Sequence, residues 1–380
     1  MHLESVLESL LLESELPRLD RWFAARAKRE NWSNKVQHSV WDQLRRAMAC
    51  ATEMNQTRLL DGENGWDDFR RALVGHHREW AEAARVPAST AQNLRSGVPG
   101  WLVPELDARR VLSRWSDAQT NEFLASQAVG LPVHVRFLTS SEGLALRQEL
   151  QAKGHLTESN GITQYLGPRS ELSGLLSSGL LDIQDASSQL SLSELDLRPG
   201  QRVWDLCAGN GGKTTLIADA LSNRGVVMAT DTSPGKLKAL RKRVAVQGWQ
   251  TVRTQSWDGK TLPPFGREVT NQGGFDRVVV DAPCSASGTW RRDPEARFRV
   301  TRKGLGELSE IQLKVLRLGW SVLRSGGRLA YVTCSWIPLE NEKIVEAFLA
   351  GNTAKVVARR LIGTPFQESN TMMSFVLEKS

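Results

Sequence analysis

RVWDLCAGNGGKT, residues 202–214, is a short apolar run that breaks into a glycine-rich turn and then a helix start. That order of elements opens a doubly wound α/β sheet, in which ligands bind beyond the carboxyl ends of the strands. More strands are predicted at 202–208 (RVWDLCA), 226–231 (VVMATD), 276–282 (DRVVVDA) and 327–334 (GRLAYVTC), with helices between them. The helix over 234–246 is the clearest: Ser233 can cap it, Pro234 suits its first turn, and Leu237, Leu240 and Val244 form its apolar stripe. At Gly209, Gly211 and Gly212 the missing side chains let backbone amides approach a ligand, and the next helix offers its positive N-terminus. The turn is not a Walker A loop, because Cys207 stands where its first glycine belongs, and Thr214 occupies the last glycine position of GxGxxG. A cofactor with an amino-acid moiety and a ribose therefore suits the loop better than a phosphate.

Working outward, Asp231 closes the second strand about twenty residues after the glycines, where a carboxylate can accept from both ribose hydroxyls. Asp258 in SWDGK could accept from an adenine amino group, or serve only as a turn residue ahead of Gly259. Two cysteines stand at the ends of hydrophobic runs, Cys284 in VVVDAPCS and Cys334 in LAYVTCS. One isolated cysteine is normally an inert core residue. Two at the mouth of one pocket, each followed by a serine (Ser285, Ser335) and one near Asp281 and Pro283, point instead to nucleophilic or proton-transfer chemistry by a thiolate. No CxxC and no nearby histidine supports zinc, so no metal is expected. Directly downstream, GTWRRDPEARFRVTRK sets Arg291, Arg292, Arg297, Arg299, Arg302 and Lys303 among Trp290 and Phe298. Basic residues among aromatics suit a phosphate backbone and an unstacked base, so RNA contact is expected there, while Trp290 and Trp336 are read first as packing residues.

The rest of the chain frames this region. Residues 1–125 read as helical, with Leu19, Trp22, Phe23 and then Val40, Leu44, Met48 at three- and four-residue spacing. A small mixed α/β unit is predicted over 126–195, where Val133, Val135 and Phe137 alternate as in a strand and LALRQELQAKG is helical up to Gly154. The doubly wound unit takes 196–380. Of the 380 residues only four are cysteines (Cys50, Cys207, Cys284, Cys334), which fits free thiols better than a disulfide framework. No stretch approaches the roughly 20 apolar residues of a membrane span. The start, MHLESVLESLLLESELPRLD, carries acidic residues throughout, so the chain is expected in the cytoplasm, without a membrane partner. A formal charge of +7 favours a polyanionic partner.

DLCAGNGGKT, SWDGK, DAPCSASGTWRRDP and TCSWIPLENE together resemble the ordered motifs of the RsmB, Nop and Sun family of RNA cytosine-5 methyltransferases, over at least 126–349. The resemblance implies a Rossmann-like class I methyltransferase domain, a small α/β RNA-recognition-like subdomain beginning near PVHVRF, and an all-α, degenerate NusB-like N-terminal domain. It implies S-adenosyl-L-methionine as cofactor, with Cys207, Ala208, Gly209, Asn210, Gly211, Gly212 and Lys213 around its methionine part. Asp231 would hold the ribose, Asp258 the adenine, and Asp281 would lie where cofactor and target base meet. Cys334 would be the nucleophile at cytosine carbon 6, and Cys284 would assist release. Ribosomal RNA of the 16S type is the expected substrate of a monomeric enzyme; transfer RNA, or a catalytically silent RNA-binding assembly factor, are the alternatives. Methylation of adenine or amide nitrogen is disfavoured, because DAPC stands where an Asn/Asp-Pro-Pro-aromatic segment would be. The chain departs from the family in CAGNGGKT for CAAPGGKT, in Ala286 for a glycine, and in TMMSFVLEKS near the C-terminus.

Overall fold

The computed structural model describes residues 2–11, 13, 18–54, 98–127, 129–363 and 368–380. The expected helical course of residues 55–97, with Trp66 and Trp80, lies outside the described residues, as does the side chain of Cys50. Eleven strands are described, in two sheets. The first holds β1 (Val133–Phe137), β2 (Leu156–Ser159), β3 (Ile162–Tyr165) and β4 (Leu181–Ile183), all antiparallel in the order β2-β3-β1-β4. With helices 141–152 and 169–177 between strands, this is the βαββαβ pattern of ferredoxin-like units. Val135, Phe137, Leu150, Leu156, Tyr165, Leu172 and Leu181 form its core.

The second sheet holds β5 (Arg202–Asp205), β6 (Val226–Asp231), β7 (Val252–Ser256), β8 (Phe275–Asp281), β9 (Leu323–Thr333), β10 (Ala354–Ile362) and β11 (Met372–Lys379), in the order β10-β11-β9-β8-β5-β6-β7. β11 runs antiparallel to both β9 and β10, whereas β9, β8, β5, β6 and β7 are parallel. Val278, Val279 and Val280 of β8 are buried on both faces, as a central parallel strand requires. Trp204 is fully buried, stacks on Phe275 at 5.9 Å and donates its indole N–H to Thr230 Oγ1 at 3.0 Å. The helix over 234–246 forms as predicted, with Ser233 accepting at its N-terminus. β5, predicted to run to 208, ends at Asp205; the amides of Leu206 and Ala208 still reach the carbonyls of Val279 and Thr230, but the chain then enters the glycine turn, where Gly209 takes φ +56°.

The units are held together by buried polar and apolar contacts. Arg136 of β1 reaches across to Asp219 in helix 212–220 (3.2 Å) while also holding Asp182 (3.1 Å), so one face of the small sheet docks on the helix that follows the glycine turn. Helices 2–11, 19–29 and 34–54 share a core of Leu3, Leu7, Leu10, Leu19, Phe23, Val40, Leu44 and Met48, which closes on Phe298. Helices 103–113 and 117–126 pack Leu106, Phe123 and Leu124 onto Trp290, Val300 and Trp336. Arg109 is fully buried and pairs through two nitrogens with Glu342, at 2.7 and 2.8 Å. Among the described residues, no helix is long and apolar enough to cross a membrane.

Candidate active site

In the second sheet the strand order reverses between β5 and β8, and the crevice at such a switch point, beyond the carboxyl ends, is where open α/β sheets bind ligands. The glycine turn follows β5 there. Gly211 sits at φ +90°, and a Cβ on it would lie 2.2 Å from Leu240 Cδ1, so only glycine fits. Asp231, at the end of β6, accepts from the Gly209 amide (2.9 Å) and the Ser233 amide (2.8 Å), pinning the loop. Lys213 is buried and extends to Asp281 Oδ2 at 2.7 Å, at the end of β8. Cys207 is half-buried, and burial together with Asp281, Asp205 and Asp231 pushes its thiol well above the usual range. Asp258 is exposed and folds back on its own turn, accepting from the amides of Lys260 (2.8 Å) and Thr261 (3.0 Å); those bonds lower its pKa.

The two cysteines meet because β8 and β9 are parallel neighbours. Their register pairs Asp281 with Val332, so the residues just beyond these positions leave the sheet side by side, one strand spacing apart. Cys284 Sγ and Cys334 Sγ lie 3.1 Å apart, and both side chains are half-buried. The hydrogen bond its thiol makes to Cys334, then burial, then the charges of Cys334 and Glu340 hold the Cys284 thiol well above its ordinary value. The loops interlock tightly. Gly288 donates to the Cys334 carbonyl and accepts from the Thr371 amide, each at 2.9 Å, and a Cβ there would stand 1.8 Å from Thr371 O.

Two buried carboxylates went unnoticed in the sequence. Asp205 closes β5 and is nearly inaccessible; Thr214 Oγ1 donates to one of its oxygens at 2.6 Å, the other has no partner, and burial raises its pKa to about 7. Glu340, just beyond the Cys334 loop, is fully buried and accepts from Ser285, Ser335 and Gln312. The available signal was an acidic residue inside an apolar run, in RVWDLCA and in SWIPLENE.

The arginine segment is the principal correction. Arg291 is buried and donates to the carbonyls of Val129 (3.0 Å) and Ser369 (3.1 Å). Arg297 is fully buried, donates to Pro294 O at 2.9 Å and lies over the Trp290 ring at 5.3 Å. Neither guanidinium faces solvent, so the expected RNA contact by these two side chains does not hold. Arg292 and Arg299 remain exposed, each beside a carboxylate, Asp185 at 3.2 Å and Glu295 at 3.3 Å. Arg302 and Lys303 are also exposed. Trp290 and Trp336 are both fully buried and meet edge-to-face at 5.8 Å, which makes them packing residues.

A seven-stranded sheet of this order, with one reversed strand and a glycine turn after β5, at the point where the strand order reverses, defines a Rossmann-like class I methyltransferase domain. Residues 192–374 match the 16S rRNA methyltransferase RsmB/F family model. It is 31% identical over 269 residues to ribosomal RNA small subunit methyltransferase B of Enterobacter sp., covering 70% of this chain and 60% of the relative. With the protein of the same name from Serratia proteamaculans the identity is 36% over 175 residues, covering 45% and 38%. The matched part thus spans less than two thirds of these relatives' length. In structure, the chain superposes on PH0851 with a TM-score of 0.73 at 21% identity, over 99% of this chain and 98% of that one. A methyltransferase homolog from Pyrococcus horikoshii gives 0.58 at 22% identity, over 73% and 99%. At these identities the likeness shows the fold.

Proposed function

We propose that this chain is an S-adenosylmethionine-dependent RNA cytosine-5 methyltransferase acting on small-subunit ribosomal RNA. One observation carries the reading: two sulfurs 3.1 Å apart at the ends of adjacent parallel strands, beside the glycine turn of a methyltransferase sheet. The substrate follows from the names of the relatives from Enterobacter and Serratia. The residues present suit the cofactor. At Gly209 a Cβ would meet nothing within 4 Å, which leaves room for a backbone approach, and Asp231 and Asp258 retain lone pairs for hydroxyl and amino donors. Cys207, Ala208, Asn210, Gly212 and Lys213 complete that wall. When bound, S-adenosylmethionine supplies an electrophilic methyl group.

Everything else falls to the protein. Carbon 5 of cytosine is a poor nucleophile until the Cys334 thiolate adds at carbon 6 and moves the ring electrons onto carbon 5. Asp281, held by Lys213, is placed to hydrogen-bond the cytosine edge as charge builds there. Once carbon 5 carries its methyl group, a base must take the remaining carbon 5 proton; the C–H electrons then restore the ring double bond and expel Cys334 as thiolate. Cys284 fits that task through its neighbour. Its largest restraint is the hydrogen bond to Cys334, and a Cys334 bonded to carbon has lost its charge, so Cys284 ionises more readily at the stage when a base is needed. The exposed Arg292, Arg299, Arg302 and Lys303 supply phosphate contacts near the target.

The test is trapping. Cys284→Ala is expected to leave a covalent RNA adduct on a denaturing gel in the presence of cofactor, and Cys334→Ala none; the reverse pattern would exchange the two roles. Bisulfite sequencing of ribosomal and transfer RNA from cells with and without the protein identifies the substrate, and loss of a 5-methylcytosine from transfer RNA alone would overturn the ribosomal assignment.

A further inference from the structure

Each cysteine is followed by a serine, and both serines turn to the same carboxylate. Ser285 Oγ and Ser335 Oγ donate to Glu340 Oε2 at 2.5 and 2.6 Å, while Glu340 Oε1 accepts from the Ser285 amide at 2.8 Å and from Gln312 Nε2 at 3.0 Å. Gln312, in helix 302–321, also donates to the Pro283 carbonyl at 2.9 Å. The backbone around Glu340 is tied down as well: its carbonyl accepts from the Tyr331 hydroxyl at 2.7 Å, and Asn341 Nδ2 donates to the Ser335 carbonyl at 2.9 Å. A fully buried carboxylate with only neutral donors around it is a costly way to join two loops, because the charge must give up its hydration. What it gains is geometry: one rigid, two-oxygen acceptor fixes the residue after each cysteine at once.

Building on the reading above, we propose that Glu340 is a positioning residue for the two-thiol chemistry, its carboxylate clipping the Cys284 loop to the Cys334 loop so that the sulfurs stay in contact. Glu340 touches neither sulfur among the hydrogen bonds described; it acts through Ser285 and Ser335. A group misplaced by about 1 Å can cost a reaction on the order of 100-fold in rate. Releasing the clip leaves two short loops joined mainly through Gly288 and Ser287, whose hydroxyl meets Ser335 Oγ at 2.8 Å.

Phenylarsine oxide tests this on the full chain without RNA or cofactor, since one arsenic atom captures two thiols together only where they are close enough to be bridged. The wild type is expected to bind it in a form released by a dithiol but not by a monothiol. Glu340→Ala should weaken that capture at least about tenfold. Glu340→Gln should restore it, because its carbonyl oxygen can still accept from the Ser285 amide and Gln312, and the serine hydroxyls can turn to accept from its amide. In methyl-transfer assays, Glu340→Ala should lower kcat about 100-fold with KM for the cofactor unchanged, and Glu340→Gln should recover most of the rate. Capture by Glu340→Ala equal to the wild type, or equal loss in both variants while circular dichroism shows them folded, overturns the proposal. If Glu340→Ala does not fold, the double variant Ser285→Ala/Ser335→Ala carries the same test. Wild-type arsenical capture without methyl transfer to any RNA would overturn the proposed function and leave the clip standing.

Discussion

Two consecutive segments, 281–288 and 290–303, bury polar side chains to opposite ends. In the first, Ser287 is buried and Ser285 half-buried, with their partners Ser335 and Glu340 buried, while two sulfurs remain half-exposed at the mouth of the sheet. In the second, Arg291 is buried and Arg297 fully so, holding backbone carbonyls and a ring face where the N-terminal helices meet the sheet. The first segment positions reactive atoms, and the second holds parts of the fold together. The difference teaches that a run of arginines reports charge but not exposure. A guanidinium with five donors can satisfy several carbonyls at once, so arginine is a cation that a fold can absorb.

The sharpest way to break this contrast is to exchange its consequences. Cys334→Ala should abolish methyl transfer, by a thousandfold or more, while leaving the thermal midpoint within a degree or so of the wild type; rate and melting measured together check it. Arg291→Ala should do the reverse. It strands buried carbonyls and should cost about 2–3 kcal/mol in urea unfolding, yet leave turnover per folded molecule near the wild-type level. An Arg291→Ala protein as stable as the wild type but weak in RNA binding would restore the reading of this side chain as an RNA contact.

A smaller effect sharpens the cysteine side. Because the bond from the Cys284 thiol to Cys334 is the largest cause raising the Cys284 pKa, Cys334→Ala should move the pH midpoint of Cys284 alkylation downward; an unchanged midpoint would mean that burial alone holds the thiol protonated. The smallest concerns Ala286, which lies within the first segment at φ +56°, a left-handed conformation costing a residue with a Cβ about 1–2 kcal/mol. Ala286→Gly, the residue the family pattern has there, should stabilise the fold by about 0.5–1 kcal/mol once the extra freedom of glycine in the unfolded chain is counted. A loss of stability would show that the Ala286 methyl packs usefully.

Much of the central sheet was legible because its signals are local. β6 and the helix over 234–246 were placed to the residue, and β8 to within one, since apolar runs and capping residues fix them without distant help. β9 begins four residues earlier than expected, because Leu323 pairs with Phe275 ahead of a register shift; SGG bulges out of the ladder, with Gly326 at φ +69°, and pairing resumes at Arg328. β10 and β11 were not anticipated at all; the reversed strand β11 owes its form to pairing with β9 and β10, and the edge strand β10 to pairing with β11. Asp258 illustrates the middle ground: both of its readings were open, and the structure shows the turn bonds while leaving lone pairs free.

By itself, the sequence determined the doubly wound order, the glycine turn and the presence of two thiols at strand ends, because each rests on periodicity or on a residue whose backbone freedom or chemistry is its own. Only the tertiary structure decided that the sulfurs touch, that Glu340 ties their loops, that Asp205 keeps an unpartnered oxygen, and which arginines face water. Those depend on contacts between residues far apart in the chain, and burial is a property of the assembled surface that no single residue carries.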